Sequence, residues 1–373
     1  MRVGKIFGID IVINLSWLFI FAFVAWALAE VGPFRTLNLS PIERAVLGII
    51  TAVLFFASVL THELAHSLVA RRRGIPIQQI TLFIFGGVSS LEGEPTTAPV
   101  EAWIAFVGPL TSIVIGCIFL GVAFVLGPSS APGLAAGYLS YANFVLGIFN
   151  LLPAFPLDGG RVLHALVWRS TKSRYRATQI AARVGRVIAW LFVIGGAAMM
   201  LLTTDIWGLW IIFMGWFLLQ AGGAERMHAE LVHSLAGLTA KDIAETAPEA
   251  LPADATADAA LQLMMRTGYR AFPVMLGDQL LGIFTMRDFS KLGDRPPSQA
   301  YVTSLMTRVE DLKTAAPATK ASDVLDMLFK TGLGQIPVMD EGGKLLGFVT
   351  RENLLRRLTV NRDLDRIAPR TAA

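Results

Sequence analysis

Six long apolar stretches fill the first 225 residues, at 11–29, 45–70, 100–126, 134–152, 184–202 and 206–222. A helix needs about 20 such residues to cross the hydrocarbon core of a bilayer, so each stretch reads as a spanning helix. The whole chain of 373 residues is 54% hydrophobic and only 16% charged, with a mean hydropathy of +0.58. An ordinary soluble domain is roughly a quarter charged. Disorder, a collagen-like fibre and a disulfide scaffold are excluded. The one cysteine, Cys117, lies inside an apolar run and reads as a small packing residue, which excludes disulfide chemistry and cysteine-based zinc ribbons. The net charge of +4 comes from scattered arginines rather than a basic stripe, so no nucleic-acid partner is expected.

The first stretch begins deep in the chain and has no small-residue cleavage site, which reads as an anchor rather than a removed signal peptide. If the helices alternate, Arg2, Lys5, Arg71, Arg72, Arg73, Arg161, Arg169, Lys172, Arg174 and Arg176 fall on one side and Arg35 and Arg44 on the other. Basic residues accumulate on the cytoplasmic side, so both termini are expected there, in a multi-pass protein of the cell membrane. Residues 79–92, QITLFIFGGVSSLE, are too few to span as a helix. Their β-branched and aromatic residues around Gly86-Gly87 suggest a β-hairpin at the membrane edge. An unpaired edge there would accept an extended peptide by strand addition.

Beyond residue 225 the pattern is that of a soluble α/β domain, with an internal repeat. Residues 269–288 read YRAFPVMLGDQLLGIFTMRD and residues 333–353 read LGQIPVMDEGGKLLGFVTREN. Each copy follows a helical stretch, and neither has enough apolar residues to close a core alone, so the two should pack together. The intervening boundaries are expected at 224–238 for an amphipathic linker along the membrane, then 239–295, 296–360 and a flexible tail at 361–373. The linker carries His228 and His233, for which no metal role is expected.

The second apolar stretch contains His62-Glu63-Leu64-Ala65-His66. Histidines at i and i+4 share a helix face, about 6 Å apart along the axis, and can chelate one Zn²⁺. The glutamate between them can serve as general base on a bound water. Ionisable groups within a bilayer cost several kcal/mol unless paired or liganded, which favours a metal site over an accident of sequence. A third ligand must come from another helix. The fourth stretch ends FNLLPAFPLDGGR, residues 149–161, where two prolines break the helix and Asp158 is the carboxylate in reach. Two histidines and a carboxylate leave one zinc position open to water, as in a catalytic site; the alternative is that Asp158 caps the following segment. His164 reads as an interfacial histidine.

HELAH in an early helix with NLLPAFPLDGG in a later one resembles the site-2 protease family of intramembrane zinc metalloproteases (peptidase family M50), over residues 1–223. The six-helix layout and the FGG hairpin are similar to that family's. The resemblance implies one Zn²⁺ per chain on His62, His66 and Asp158, with Glu63 as general base. It implies cleavage of transmembrane protein substrates, such as an anti-sigma factor or a signal-peptide remnant. Asn150 matches the asparagine of the family pattern, and Asn143 lies one heptad earlier; either would hydrogen-bond the scissile carbonyl, orient a ligand, or only join two helices. Gly86 and Gly87 belong to the hairpin that would hold the substrate extended.

The repeat resembles a tandem pair of cystathionine-β-synthase (CBS) modules, which bind adenine nucleotides or join protomers. The G-x-x-T-x-x-D pattern stands as Gly282, Thr285 and Asp288 in the first copy, while the second has Gly347, Thr350 and Asn353. The resemblance implies ATP, ADP or AMP at Thr285, Asp288, Thr350 and Asn353, and a homodimer through these modules. The fold class expected is a polytopic α-helical membrane protein with six transmembrane helices and a membrane-edge hairpin, plus a cytosolic α/β CBS pair. A CBS-regulated transporter or channel and an inactive membrane scaffold are the alternatives.

Overall fold

Asn14 sets the start of the first spanning helix, its side chain accepting the Ser16 backbone N–H at 3.0 Å. The residues before it therefore leave the helix that the apolar run suggested from residue 11. In the computed structural model they form β1 (Arg2–Ile6) and β2 (Ile9–Ile13). The structure describes residues 2–354 apart from 84, 85, 92, 94, 204, 246–248, 332, 333, 351 and 353. The chain continues through α1 (Leu15–Glu30), α2 (Pro41–Arg72), β3 (Ile77–Phe83), β4 (Gly86–Leu91), α3 (Ala98–Leu126), α4 (Ala131–Asn150), α5 (Asp158–Thr171), α6 (Arg174–Thr203) and α7 (Trp207–Ser234).

The four strands form one sheet in the order β1-β2-β3-β4. Phe7 and Gly8 both have positive φ, the backbone of a tight two-residue hairpin between β1 and β2. The Arg71 guanidinium, at the end of α2, donates to the Phe7 carbonyl and ties that hairpin to the helix. β2 and β3 pair in parallel, from Asp10 opposite Gln79 to Ile13 opposite Leu82. β3 and β4 pair antiparallel, with Phe83 opposite Gly86. Ile9, Ile11, Ile80 and Leu82 from the sheet pack with Leu64, which anchors the sheet against the helix that carries the two histidines.

Among the described residues, five helices are long and apolar enough to cross a membrane: α1 with the turn after it, α2, α3, α6 and α7. The sequence led to an expectation of six. α4, a helix of 20 residues that carries Ser140, Asn143 and Asn150, is not among the five. Large side chains on these helices lie bare, Phe124 at 84% and Leu201 at 83% exposure, as a surface meant for lipid requires. Cys117 is exposed, against the expectation of a packed residue.

Small residues bring the helices together. Ser140 Oγ donates to the Gly116 carbonyl at 2.8 Å, and Gly116 lies under the Phe144 ring. A Cβ on Gly147 would stand 3.0 Å from the Pro109 carbonyl oxygen and 2.9 Å from Ile113. α6 buries a stripe of Ala177, Ala181, Ala182, Gly185, Ala189 and Gly196, the packing surface of helices that cannot use a hydrophobic driving force within lipid. His164 is buried rather than interfacial: it bonds the Glu101 carboxylate at 2.9 Å and so ties α5 to α3.

The chain divides into two compact units, Met1–Met227 and His228–Ala373. The second contains α8 (Ala240–Ile243), β5 (Leu251–Pro252), α9 (Ala257–Thr267), β6 (Ala271–Leu276), β7 (Gln279–Thr285), α10 (Val302–Leu305), β8 (Thr307–Arg308), α11 (Ala321–Thr331), β9 (Gln335–Met339) and β10 (Leu345–Thr350). The repeated hairpins are β6–β7 and β9–β10. The copies exchange their leading segments. Glu245 bridges to Phe348 in the second hairpin, and β8 pairs with β7 of the first. Ala240 and Ile243 are thus buried with Val324, Leu325 and Val349, while Val302 and Leu305 are buried with Phe272 and Phe284. The linker expected to lie along the membrane over 224–238 differs. α7 runs through it to Ser234, and Leu231 and Leu235 are buried in the core of the second unit.

Candidate metal centre

The spacing of His62 and His66 on α2 aims both imidazoles at one point, with ring centroids 4.8 Å apart. Asp158 reaches the same point from the first turn of α5. The chain gets there through a tight turn after α4, where Leu151 and Leu152 close back on the helix end and Pro153 and Pro156 prevent its continuation. Gly159 and Gly160 follow Asp158 because the turn lies against them: a Cβ on Gly159 would meet the Leu151 carbonyl, and one on Gly160 the Ala154 carbonyl carbon at 2.6 Å. Asp158 does not cap the segment it begins, since the N-cap position is Leu157 and carries no side-chain bond.

The donor atoms of the three residues lie within 4.8 Å of one another. His62 Nε2 is 3.2 Å and His66 Nε2 3.3 Å from Asp158 Oδ2, and the two Nε2 atoms are 3.1 Å apart. Ligands placed ~2.0–2.1 Å from a tetrahedral zinc stand ~3.3 Å from each other. The set therefore fits one such ion with no rearrangement of the backbone. The far ring nitrogens are engaged by α3. His66 Nδ1 donates to the Ile104 carbonyl at 2.6 Å, and His62 Nδ1 meets Ser112 Oγ at 2.9 Å. The Ile104 carbonyl can only accept, so the His66 proton sits on Nδ1 and its Nε2 lone pair turns inward, as a metal-ligating histidine requires.

Glu63 sits beside this cluster under β4. Ser89 Oγ donates to Glu63 Oε2 at 3.2 Å and is itself 3.0 Å from Ser67 Oγ. Gly87 passes directly over the glutamate, where a Cβ would collide with Glu63 Cγ. Gly86, the first residue of β4, has φ +126°, a conformation that only glycine adopts freely. The two asparagines each donate within α4. Asn150 Nδ2 donates to the Leu146 carbonyl, and Asn143, fully buried, donates to the Leu139 carbonyl.

In the second unit Thr285 and Asp288 form a capping box: Asp288 Oδ2 accepts from Thr285 N and Oγ1 at 2.7 Å each. Its other oxygen is 2.6 Å from Lys291 Nζ, and the residue is buried. Thr350 ends β10, and Asn353 lies outside the described residues.

Residues of α3 that the sequence reading did not single out complete the centre. A Cβ on Gly108 would run into the Nε2 atoms of His66 and His62. Gly108 and Ser112, one turn apart in a mostly apolar helix, were the signal available in the sequence. Gly108→Ala is expected to lower the affinity for a divalent cation at least tenfold, by displacing both histidines. Gly121→Ala on the same helix, where a Cβ meets open space, should leave the affinity unchanged. Competition with a chromophoric chelator measures both.

The family model of peptidase family M50 matches residues 50–138 and 133–192, and that of the CBS domain matches 240–294 and 302–360. A Synechocystis sp. protein, "Putative zinc metalloprotease sll0528", is 35% identical over 365 residues, covering 96% of this chain and 95% of its own. The Mycobacterium tuberculosis protein "Putative zinc metalloprotease Rip3" is 31% identical over 364 residues, with 96% and 93% covered. The solved site-2 protease of Methanocaldococcus jannaschii is 30% identical, spans 61% of this chain and 94% of its own, and superposes with a TM-score of 0.43. Matched along nearly its whole length by zinc metalloproteases, the chain belongs to peptidase family M50, the site-2 type, and carries a C-terminal pair of CBS domains.

Proposed function

We propose that this protease hydrolyses peptide bonds in or near transmembrane segments of membrane proteins, with one zinc ion on His62 Nε2, His66 Nε2 and Asp158 Oδ2. The observation that carries the proposal is the convergence of these three donors beside Glu63 on a helix built to cross a bilayer. The chemistry such an ion supplies is a water acidified toward neutrality and a polarised peptide carbonyl. Glu63 takes the water's proton on its carboxylate and returns it to the departing amine. Ser89, bonded to Oε2, keeps the carboxylate turned toward the cluster.

A transmembrane substrate must unwind before cleavage, because a helix hides its carbonyls in i to i−4 bonds. β4 ends the four-stranded sheet and has a free edge among the described strands. An extended substrate added along that edge would pass Gly87 and therefore Glu63. Asn150, half-buried at the end of α4, is the residue proposed to hold the scissile carbonyl. Asn143 is too deeply buried for that role and acts within the protein instead. The bias of basic residues supports an orientation with both termini in the cytoplasm.

Glu63→Gln is expected to abolish cleavage of a transmembrane substrate while leaving the metal content unchanged, because the amide cannot accept the proton. Retained cleavage by this variant would exclude the mechanism. Gly87→Ala should also lower cleavage, by at least tenfold, since its Cβ displaces Glu63 without touching the metal ligands. Product analysis by mass spectrometry beside metal analysis of the same samples separates the two requirements.

The second unit is proposed to bind an adenine nucleotide at Thr285 and Asp288, with Thr350 in the second copy. For Asp288 to hold ribose hydroxyls, Lys291 must first leave its Oδ1. Calorimetric titration of AMP and ATP into the full chain should show binding that Asp288→Ala removes. No heat from either nucleotide with the wild-type protein would leave the pair as a structural module. A nucleotide changes the cleavage rate only if it binds two states of the protein unequally.

A further inference from the structure

Ser67 stands one turn beyond Glu63 on α2, is fully buried, and is not one of the three metal donors. β4 passes over both residues. A strand advances about 6.8 Å in two residues and a helix about 6 Å in four. A strand laid along a helix therefore brings two residues of one face over helix positions four apart. Gly87 lies against Glu63, where a Cβ would collide with its Cγ. Ser89, two residues on, bonds both helix residues: its Oγ is 3.2 Å from Glu63 Oε2 and 3.0 Å from Ser67 Oγ.

The glycine alone does not fix where the strand sits. Gly86 also lacks a Cβ, so β4 slipped by one residue, with its other face turned to the helix, would still clear Glu63. The pairing of β3 with β4 already shifts register between Ile77 and Ile80, a place where such a slip is absorbed. The two registers differ at Ser67. With Gly86 over Glu63, Val88 would take the place of Ser89, and the buried Ser67 hydroxyl would lose the partner that Ser89 gives it. Burying a hydroxyl without that partner costs free energy, which favours the observed register.

We propose that Ser67 is a positioning residue that pins β4 along α2 through Ser89, and so sets which bond of an extended substrate is presented to Glu63. The proposal rests on the reading of β4 as the strand that receives the substrate. A peptide added along the free edge takes its register from the backbone groups of β4, and β4 takes its own from Ser67. The same Ser89 hydroxyl holds the base, so the base and the substrate strand are placed together. Ser67 acts only through Ser89.

The test is cleavage of a synthetic lysine-flanked transmembrane peptide by the full chain in detergent. Mass spectrometry identifies the cleaved bonds, and zinc content and thermal unfolding are measured on the same samples. Wild type should cut chiefly at one bond. Ser67→Ala should spread cleavage over neighbouring bonds and lower kcat about fivefold, the worth of one hydrogen bond, with KM within about twofold. Its zinc content and melting temperature should match wild type. Adding Ser67→Ala to Ser89→Ala should change little, because both act through one contact. An unchanged cleavage site in Ser67→Ala overturns the proposal whatever the rate, as does a loss of rate matched by loss of zinc or stability. A second measurement needs no substrate. In a chain whose one cysteine is replaced, Cys117→Ser, the pair Ser67→Cys and Ser89→Cys should close a disulfide under mild oxidation, and Ser67→Cys with Val88→Cys should not. No disulfide in the first pair, or one in the second, overturns the pin. A zinc-loaded wild type that leaves the peptide intact overturns the proposed function instead, a result distinct from these.

Discussion

An ionisable side chain within a bilayer is stable only where other groups replace the water it gave up. His62, Glu63, His66 and Asp158 are four such side chains within one small volume, and much of the first unit is arranged around them. Three of them meet at a point that fits a cation. Each also has a second partner or cover drawn from a different element: Ser112 and Ile104 from α3, Ser89 from β4, and the tight turn that brings Asp158 in at the start of α5. The polar groups are concentrated at this one place, while the outer faces of the spanning helices stay bare and apolar.

Bringing four backbone segments so close depends on residues that lack a side chain. Gly108 lets α3 lie against the imidazoles, Gly87 lets β4 lie over the glutamate, and Gly159 and Gly160 let the turn close behind Asp158. The same device recurs along α3 and α4 at Gly116 and Gly147. In lipid, where apolar surface gains nothing by leaving its solvent, close approach of backbones replaces the hydrophobic effect as the source of cohesion. The second unit obeys the opposite rule. It buries Phe272, Phe284, Leu325 and Ile336 in two cores, each completed by a segment lent from the other repeat.

The chemistry of the site was legible because it is written in side chains at fixed spacing. HELAH puts two donors on one helix face, and the prolines around Asp158 mark where a helix must stop. What escaped was written in backbone and in absent atoms. The Ile104 carbonyl has no residue type, and the gap at Gly108 matters only once α3 is known to lie against α2. β1 and β2 were hidden because Ile11–Ile13 merges without a break into the apolar run of α1, and only Asn14 marks the change. The composition of 224–238 suggested a separate amphipathic helix, yet α7 continues into it as far as Ser234, and Leu231 and Leu235 are claimed by the core of the second unit. In the G-x-x-T-x-x-D pattern the resemblance implied a ribose ligand, and the cap that Thr285 and Asp288 close on each other was a second use of the same residues that the pattern did not announce.

The claim on which everything else depends is that His62, His66 and Asp158 together hold one zinc ion. Its most direct test is the zinc content of the detergent-purified chain, measured by elemental mass spectrometry for wild type, Asp158→Ala and the His62→Ala/His66→Ala double variant. The account predicts about one zinc per chain in the wild type and loss of most of it in both variants. No zinc in wild-type protein prepared without chelators, or the same zinc content in all three proteins, would contradict it.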